Sequence, residues 1–308
     1  MKNGTCWLDQ DGKRIQAHGG CILFHKGIFY WYGEDKGTKT RDGRVDFLGF
    51  SCYSSRNLLE WKNEGRILSA VSKPGHELGP DRVGERPSVL WNPKTERFVL
   101  WFHLDSADYS YARLGVADSD SPTGPFRYLG SVRPGGMRES RDMTVFADEG
   151  GLAYLISSSD GNSTLLISEL DHSYTGFTGR EKSILCGQYR EAPAVIKEGG
   201  RYYLLTSGCT GWDPNPMLCA EAESIWGRWR LTDNPCRGEG RRKTFGGQAA
   251  CTFSQGGKWY VLLDHWNPDD LSDSGYSILP VNAGADGIDI SWQDNFGGID
   301  RQWNKKNG

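Results

Sequence analysis

The chain has 308 residues and a formal net charge of −3 at pH 7, so it lacks the basic excess typical of proteins that bind nucleic acids or anionic membranes. No apolar run approaches the roughly 18 residues that span a bilayer, and the N-terminus lacks the apolar core of a signal peptide. With 41 glycines, 12 Trp, 13 Tyr and 12 Phe, the composition suits short strands joined by tight turns.

Five segments of similar pattern follow one another along the chain. Each begins with polar residues, continues as a short apolar strand, turns, and ends in a second strand rich in aromatic and aliphatic residues. They start at Gln16, Glu85, Arg141, Tyr189 and Gln248. A second, less apolar pair of segments follows each one and includes an aromatic residue at its later strand. These aromatic residues are Trp61, Phe126, Phe177, Trp229 and Trp292.

This repetition predicts the fold. Glu85, Asp142, Glu191 and Gln248, which occupy the same place in consecutive segments, lie 49 to 57 residues apart. Units of about 50 residues with four strands each are typical of β-propellers. We therefore predict an all-β fold, a five-bladed β-propeller with four antiparallel strands per blade, formed by residues 1–308 as a single domain. A β-sandwich is the alternative, but it does not account for the fivefold repeat.

The polar starts of the five segments are expected to meet at one place. In a propeller the first strand of each blade lines the central channel, so residues at the same end of these strands converge on the axis. The converging positions are Gln16 or His18, Glu85, Asp142, Glu191 and Gln248. The three carboxylates lie beside Arg86, Arg141 and Arg190. Because burying a carboxylate is costly unless it is paired, this arrangement predicts a functional site rather than solvated strand ends.

Carboxylates, an arginine and aromatic side chains in one cavity suit a sugar. Sugar rings stack on Trp and Tyr, and their hydroxyls bond to carboxylates, amides and arginine. Hydrolysis of a glycoside with inversion needs a protonated carboxylic acid at the leaving oxygen and a base that holds water on the opposite face. A second carboxylate near the acid raises its pKa through like-charge repulsion, which keeps a proton available near neutral pH.

The sequence predicts no metal ion and no cofactor. None of the eight cysteines forms a C-x-x-C pair, and most lie in apolar runs typical of buried thiols, although Cys209 and Cys219 could bridge. His103 and His265 follow predicted strands without a metal-ligand spacing. Neither a phosphate-binding loop nor a dinucleotide glycine motif is present.

Seven motifs, spread from Ala17 to about Trp266, connect the sequence to a known family. They are AHGGCIL, YWYGE, GERPSVLWN, GVADSDSPTGPF, SRDMT, REAPAVI and TGWDPNP. Through them the chain resembles glycoside hydrolase family 43, most of all its exo-β-1,3-galactanase branch. The resemblance implies an inverting enzyme that releases galactose from β-1,3-galactan, the backbone of arabinogalactan, or from its oligosaccharides. The implied partner is a galactose-containing oligosaccharide or polysaccharide, with no nucleic acid and no membrane.

The resemblance also implies roles for individual residues. Glu191 would be the general acid, and Asp142 would orient it and tune its pKa. Glu85 and Arg86 would hold the sugar in subsite −1, and Glu34 would meet the galactose hydroxyls. Further positions that shape this subsite are Tyr109, Asn162, Thr210 and Trp212. For these four, ordinary roles in loops and packing are the alternative.

One position departs from the family pattern. Most members of family 43 have an aspartate base in the first blade, where this sequence reads Gln16-Ala17-His18. The exo-galactanase branch shares this loss, and there a glutamine in the last blade, matched here by Gln248, is assigned as the base in its imidic-acid form. A neutral amide oxygen is only weakly basic, so Gln248 could instead position the water, and Glu85 is the rival base.

His18 either orients a group in the pocket or is a satisfied strand-end histidine.

Two other functions are compatible with the sequence. One keeps the fold but changes the sugar, as in an α-L-arabinofuranosidase or a β-xylosidase. The other is a non-catalytic galactan-binding propeller, but Glu191 and Asp142 argue against it because a lectin needs no proton donor.

We expect the protein to be cytoplasmic, or secreted with its signal peptide removed, and the sequence does not predict an oligomeric state.

Overall fold

The computed structural model describes residues 1–284 and 287–299. Within these ranges, the strands form five sheets whose first long strands surround a central axis. The five-bladed β-propeller predicted from the repeat is therefore confirmed. The end of the predicted domain, residues 300–308, and the pair 285–286 lie outside the described residues.

In the first four blades, the strands follow one another in chain order from the axis outwards. Blade 1 contains β1 (His18–His25), β2 (Ile28–Glu34), β3 (Gly49–Ser55) and β4 (Lys62–Ser69). Blade 2 contains β5 (Val83–Asn92), β6 (Arg97–Asp105), β7 (Arg113–Ser119) and β8 (Arg127–Val132). Blade 3 contains β9 (Met143–Ala147), β10 (Ala153–Ser159), β11 (Thr164–Leu170) and β12 (Phe177–Ile184). Blade 4 contains β13 (Arg190–Glu198), β14 (Arg201–Gly208), β15 (Leu218–Ala222) and β16 (Arg230–Leu231).

The fifth blade has one strand more than predicted. It contains β17 (Cys236–Arg237), β18 (Gln248–Gln255), β19 (Lys258–His265), β20 (Gly275–Gly284) and β21 (Gly287–Ser291). The short β17 pairs in parallel with β21, with Cys236 opposite Ile290. It covers part of an outer edge whose backbone groups would otherwise be unpaired.

In the part of the chain that the structure describes, helical structure is limited to short 3₁₀ turns. They are Pro134–Gly136, Glu149–Gly151, Arg241–Gly246 and Leu271–Asp273. Across residues 1–284 and 287–299, no helix has the length and apolarity to cross a membrane. All eight cysteines, including Cys209 and Cys219, are free thiols.

The ring closes where blade 5 meets blade 1. The inner strand β18 packs against β1 as well as against β13. The N-terminal segment adds to blade 5, since Gly4 N–H donates to the Tyr276 carbonyl at 2.9 Å and Tyr276 N–H donates to the Thr5 carbonyl at 3.0 Å. Trp31 of β2 packs edge-on against Tyr276, with ring centroids 4.7 Å apart. Backbone pairing and aromatic packing therefore both join the first and last blades.

Bulges in the inner strands shape the axial end of four blades. The register shifts after His18, Glu85, Glu191 and Ala249. The next residue in three of them has a left-handed backbone: Gly19 (φ 59°), Arg86 (φ 53°) and Ala192 (φ 51°). Pro87 and Pro193 then follow, and a bulge is where a strand tolerates a residue that cannot donate to the ladder. The motifs Glu-Arg-Pro and Glu-Ala-Pro thus encode bulges, which redirect side chains towards the axis.

Asn3 gives a test of ring closure. Its side chain is buried, donates to the Gln293 carbonyl at 2.8 Å and accepts from Ile278 N–H at 3.1 Å. We expect Asn3→Ala to lower the free energy of unfolding by about 1–3 kcal/mol, because a buried N–H loses its acceptor. Urea denaturation measures this loss. The neighbouring exposed variant Lys2→Ala should behave as wild type, and equal stabilities for all three proteins would contradict a closing role for Asn3.

Candidate active site

A cavity of about 550 Å³ opens at the axis, where the inner strands begin. Every blade contributes to its wall. The charged and amide residues that the sequence predicted and that lie in this wall are Glu34, Glu85, Arg86, Asp142, Asn162, Glu191 and Gln248. The polar starts of blades 2 to 5 therefore converge, and blade 1 contributes Glu34 from the end of its second strand.

Arg86 is the central cation of the cavity. Its Nη1 donates to the Ala249 carbonyl at 2.9 Å, and its Nη2 donates to Gln248 Oε1 at 2.7 Å. The same Nη2 lies 3.0 Å from Asp142 Oδ2, and the backbone N–H donates to Glu34 Oε1 at 3.0 Å. Burial disfavours the charged guanidinium, but four carboxylates, Asp142 and Glu34 foremost, outweigh it and raise the pKa of Arg86 above its usual range. Arg86 therefore connects its own blade with three others.

Glu191 and Asp142 lie close to each other. Asp142 Oδ2 accepts from the backbone N–H of Ala192 at 3.1 Å, which fixes the aspartate beside the neighbouring glutamate. Burial raises the pKa of Glu191 to about 7, the charge of Asp142 adds to this rise, and Arg86 opposes it. Glu191 therefore retains a proton near neutral pH, as a general acid must.

Glu85 is held as an anion by a chain of buried groups. His103 Nδ1 lies 3.2 Å from Glu85 Oε2, and His103 Nε2 lies 2.8 Å from Asp105 Oδ2. The Tyr109 hydroxyl donates to Glu85 Oε1 at 2.9 Å. Burial raises the pKa of Glu85, but His103, with Lys36 and Tyr109, outweighs burial and lowers it to about 2. Burial lowers the pKa of His103, and the two carboxylates outweigh it and raise this pKa to about 9.

Glu34 and Lys36 form a second buried pair in the wall. Lys36 Nζ lies 2.6 Å from Glu34 Oε2, and both residues are more than nine-tenths buried, with exposures of 8% and 3%. Burial raises the pKa of Glu34 to about 7. The Lys36 ammonium opposes this rise, and the charge of Glu85 adds to it. An ammonium and a carboxylate thus lie side by side, both facing the cavity.

The orientation of the Gln248 amide follows from its partners. Its oxygen accepts from Arg86 and from Trp266 Nε1, the latter at 3.0 Å. Its nitrogen donates to Glu191 Oε1 at 3.1 Å and to Ser207 Oγ at 2.9 Å. Arginine and tryptophan offer only donors, so the amide oxygen must face them. Gln248 therefore orients the Glu191 carboxylate in this structure, and its role as the base stays a prediction.

His18 does not reach the cavity. It is fully buried, with Nδ1 3.3 Å from Asp264 Oδ1 and Nε2 3.0 Å from the Tyr276 hydroxyl. Asp264 also accepts from the N–H of Gly19 at 2.9 Å. Of the two interpretations of His18, the structure agrees with the satisfied strand-end histidine, because both ring nitrogens have partners behind the wall.

Thr210 is also outside the wall, whereas Asn162, Trp212 and Tyr109 line it. Thr210 is exposed, and its hydroxyl donates to the Asp213 carbonyl at 2.6 Å. It therefore stabilises the turn that leads to Trp212. The Trp212 ring lies 5.1 Å from that of Trp266, so the two form an aromatic corner of the cavity.

The three arginines beside the carboxylates have different environments. Arg86 reaches the cavity because of its bulge. Arg190 points away from it and donates to Thr206 Oγ1 at 3.0 Å, as expected for adjacent residues on opposite faces of a strand. Arg141 lines the cavity and donates to Glu139 Oε2 at 2.8 Å.

Several wall residues were not assigned to the site from the sequence. Among them are Lys36, Arg44, His103 and Trp266. The register of the predicted hairpin could have identified His103, because this residue pairs directly with Glu85 across β5 and β6. Lys36 follows Glu34 by two residues, and alternate residues of an extended chain share a side. Arg44 and Trp266 had no comparable signal.

The donor atoms of Glu85, His103 and Asp142 lie within 4.8 Å of one another, a spacing that a metal ion could use. The residues as arranged do not fit one. Both nitrogens of His103 face carboxylates, which raise its pKa to about 9. A metal needs the neutral imidazole with a free lone pair.

The model of glycosyl hydrolases family 43 matches residues 40–288. A solved β-1,3-galactosidase of family 43 with galactodeoxynojirimycin is 38% identical, with a TM-score of 0.91, over 96% of this chain and 99% of its own. An exo-β-1,3-galactanase from Phanerochaete chrysosporium, solved with β-1,3-galactotriose, is 34% identical, with a TM-score of 0.88, over 96% of this chain and 67% of its own.

A third solved structure is the exo-β-1,3-galactanase 1,3Gal43A from Clostridium thermocellum. It is 35% identical, with a TM-score of 0.86, over 96% of this chain and 65% of its own. This chain therefore spans about two thirds of the fungal and clostridial structures and nearly all of the first. Among curated proteins, no match was found.

We expect His103→Gln to destabilise the protein by about 3–5 kcal/mol at acidic pH, because Glu85 and Asp105 would lose the cation between them. The pKa of His103 is raised from 6.5 to about 9. Its contribution is therefore complete below pH 6.5 and is lost as the pH rises through about 9. The difference in unfolding free energy between wild type and variant should shrink over this interval, which urea denaturation at both ends measures.

The exposed His172 provides the matched control. His172→Gln should leave the stability unchanged at either pH. If the loss caused by His103→Gln were the same at both ends of the interval, His103 would not be the protonated link between the two carboxylates.

Proposed function

Because this chain belongs to glycosyl hydrolase family 43, we propose that it is an inverting exo-β-1,3-galactanase that releases galactose from β-1,3-galactan or its oligosaccharides. The observation that carries the proposal is the adjacent pair of Glu191 and Asp142 in the axial cavity, with the Glu191 pKa raised to about 7. Relatives named as β-1,3-galactosidase or exo-β-1,3-galactanase, at 34 to 38% identity, support the choice of sugar.

In the proposed reaction, Glu191 gives its proton to the oxygen of the leaving sugar as the glycosidic bond breaks. A water molecule adds to the anomeric carbon from the opposite face and loses a proton to a base. Burial, reinforced by the like charge of Asp142, keeps the proton on Glu191 in the free enzyme. Proton exchange with solvent then restores the acid and the base for the next turnover.

Two residues are candidates for the base. Glu85, with its pKa lowered to about 2, is a weak proton acceptor at neutral pH. In the imidic-acid form of Gln248, the oxygen would bear a proton while facing the donors of Arg86 and Trp266. This geometry supports Gln248 as the group that positions Glu191 and the water, and its proposed role as the base depends on a rearrangement when the sugar binds.

The activity is tested by incubating the protein with β-1,3-galactotriose and following the sugars by proton NMR. We expect galactose to appear one unit at a time and first as the α-anomer, because inversion reverses the β-configuration. Glu191→Gln should lower kcat by a factor of about 10² or more, the range for loss of a general acid, while oligosaccharide binding persists.

The other outcomes discriminate between functions. Release of arabinose or xylose from matched substrates, with galactotriose left intact, would keep the enzyme class and change the sugar. Binding of galactotriose without any product would make the protein a carbohydrate-binding propeller. Full activity of Glu191→Gln would show that another group is the acid.

The pH profile gives a separate prediction. A general acid must be protonated, so kcat/KM should be high below the Glu191 pKa of about 7 and fall as the pH rises through it. Asp142→Asn should move this limb to lower pH, because it removes the like charge and leaves Arg86 to stabilise the anion. A limb that stayed in place would assign the titration to a different group, such as Glu34, whose pKa is also raised to about 7.

A further inference from the structure

Lys36 lies in the cavity wall with unused hydrogen-bond donors. A lysine ammonium has three N–H groups. Its Nζ lies 2.6 Å from Glu34 Oε2, and in the described parts of the chain it makes no other ion pair or hydrogen bond. The residue is only 8% exposed and lines the cavity. Buried donors are costly unless they meet an acceptor, and the cavity is where such an acceptor can enter.

The backbone on either side of Lys36 is fixed in place. Asp35 accepts from Arg66 Nε at 2.7 Å and from Gly37 N–H at 2.9 Å, and its own N–H donates to the Gly49 carbonyl at 3.2 Å. These bonds attach the start of the loop between β2 and β3 to blade 1. With its loop anchored and its Nζ paired with Glu34, the ammonium is held in position before any ligand arrives, which favours a binding role over a mobile surface charge.

Arg86, the neighbouring cation, already uses most of its hydrogen-bond donors. Its guanidinium already donates to Ala249 and Gln248 and pairs with Asp142. Three of the five N–H groups of Arg86 thus have partners, whereas among the described residues only one of the three on Lys36 does. Glu34 supplies the complementary chemistry, because the oxygens of its carboxyl group accept hydrogen bonds.

We propose that Lys36 binds the substrate directly, donating to a hydroxyl oxygen of the terminal sugar while Glu34 accepts from the neighbouring hydroxyl. The proposal rests on the proposed function, since it assigns this pair to the sugar at the cleaved end. Two neighbouring sugar hydroxyls offer an acceptor oxygen and a donor O–H side by side, which matches an ammonium and a carboxylate 2.6 Å apart. Lys36 is then a specificity-determining residue as well as the counterion of Glu34.

The test compares wild type with Lys36→Met on β-1,3-galactobiose and on analogues that lack the 2-, 3-, 4- or 6-hydroxyl of the terminal ring. On the complete substrate, kcat/KM should fall by about tenfold to a hundredfold, as expected for loss of a hydrogen bond from a charged donor. On the one analogue that lacks the partner hydroxyl, the substitution should cost about twofold or less, because the bond is already absent.

Lys39→Met is the matched control, since Lys39 is exposed on the same loop and lies outside the cavity wall. It should leave every rate unchanged. An equal loss on the complete substrate and on all four analogues would overturn the proposal, because Lys36 would then act only through the charge of Glu34. No loss on the complete substrate would overturn it as well.

Two further measurements keep the outcome clear. If Lys36→Met fails to fold because Glu34 is left as an unpaired buried charge, the double variant with Glu34→Gln removes that charge. In this double variant, removal of the hydroxyl that Lys36 binds in wild type should not lower kcat/KM selectively.

If wild type releases no galactose, the proposed function fails, and calorimetric titration with galactose and its deoxy analogues still tests Lys36. A loss of affinity that vanishes for one analogue supports direct binding, and a uniform or absent loss rejects it.

Discussion

The site depends on the hydrogen bonds and the ion pair of the buried Arg86 guanidinium. Its side chain binds groups of blades 3 and 5, and its backbone N–H binds Glu34 of blade 1. A buried cation is tolerated only where such acceptors surround it. The left-handed backbone at Arg86, followed by proline, directs the side chain to the axis. One bulge in one strand thus sets the relative positions of four blades at the cavity.

Around this cation, two glutamates have a raised pKa and a third has a lowered one. Burial and the charge of Asp142 raise the pKa of Glu191, and burial also raises that of Glu34. For Glu85, the imidazolium of His103 outweighs burial and lowers the pKa. Residue type alone therefore does not determine chemistry here. The neighbours make one carboxyl group a proton donor and another a permanent anion.

The sequence predicted the parts of the structure that repeat. Five segments of equal pattern establish the blade number, and the positions of Glu85, Asp142, Glu191 and Gln248 in them establish which residues meet at the axis. The fifth strand of blade 5 could not be predicted, because Cys236–Arg237 is too short to show a pattern. Lys36 and Arg44 belong to a loop outside the repeat, and the outward direction of Arg190 depends on the local register of its strand.

The burial of His18 makes its position unsuited to a carboxylate. In this chain, Asp264 and Tyr276 enclose position 18, and Asp264 also binds the N–H of Gly19. An aspartate at position 18 would bring a second negative charge to a fully buried carboxylate, where like charges repel strongly. A carboxylate at position 18 would therefore need a compensating change at Asp264, so the two positions are thermodynamically coupled.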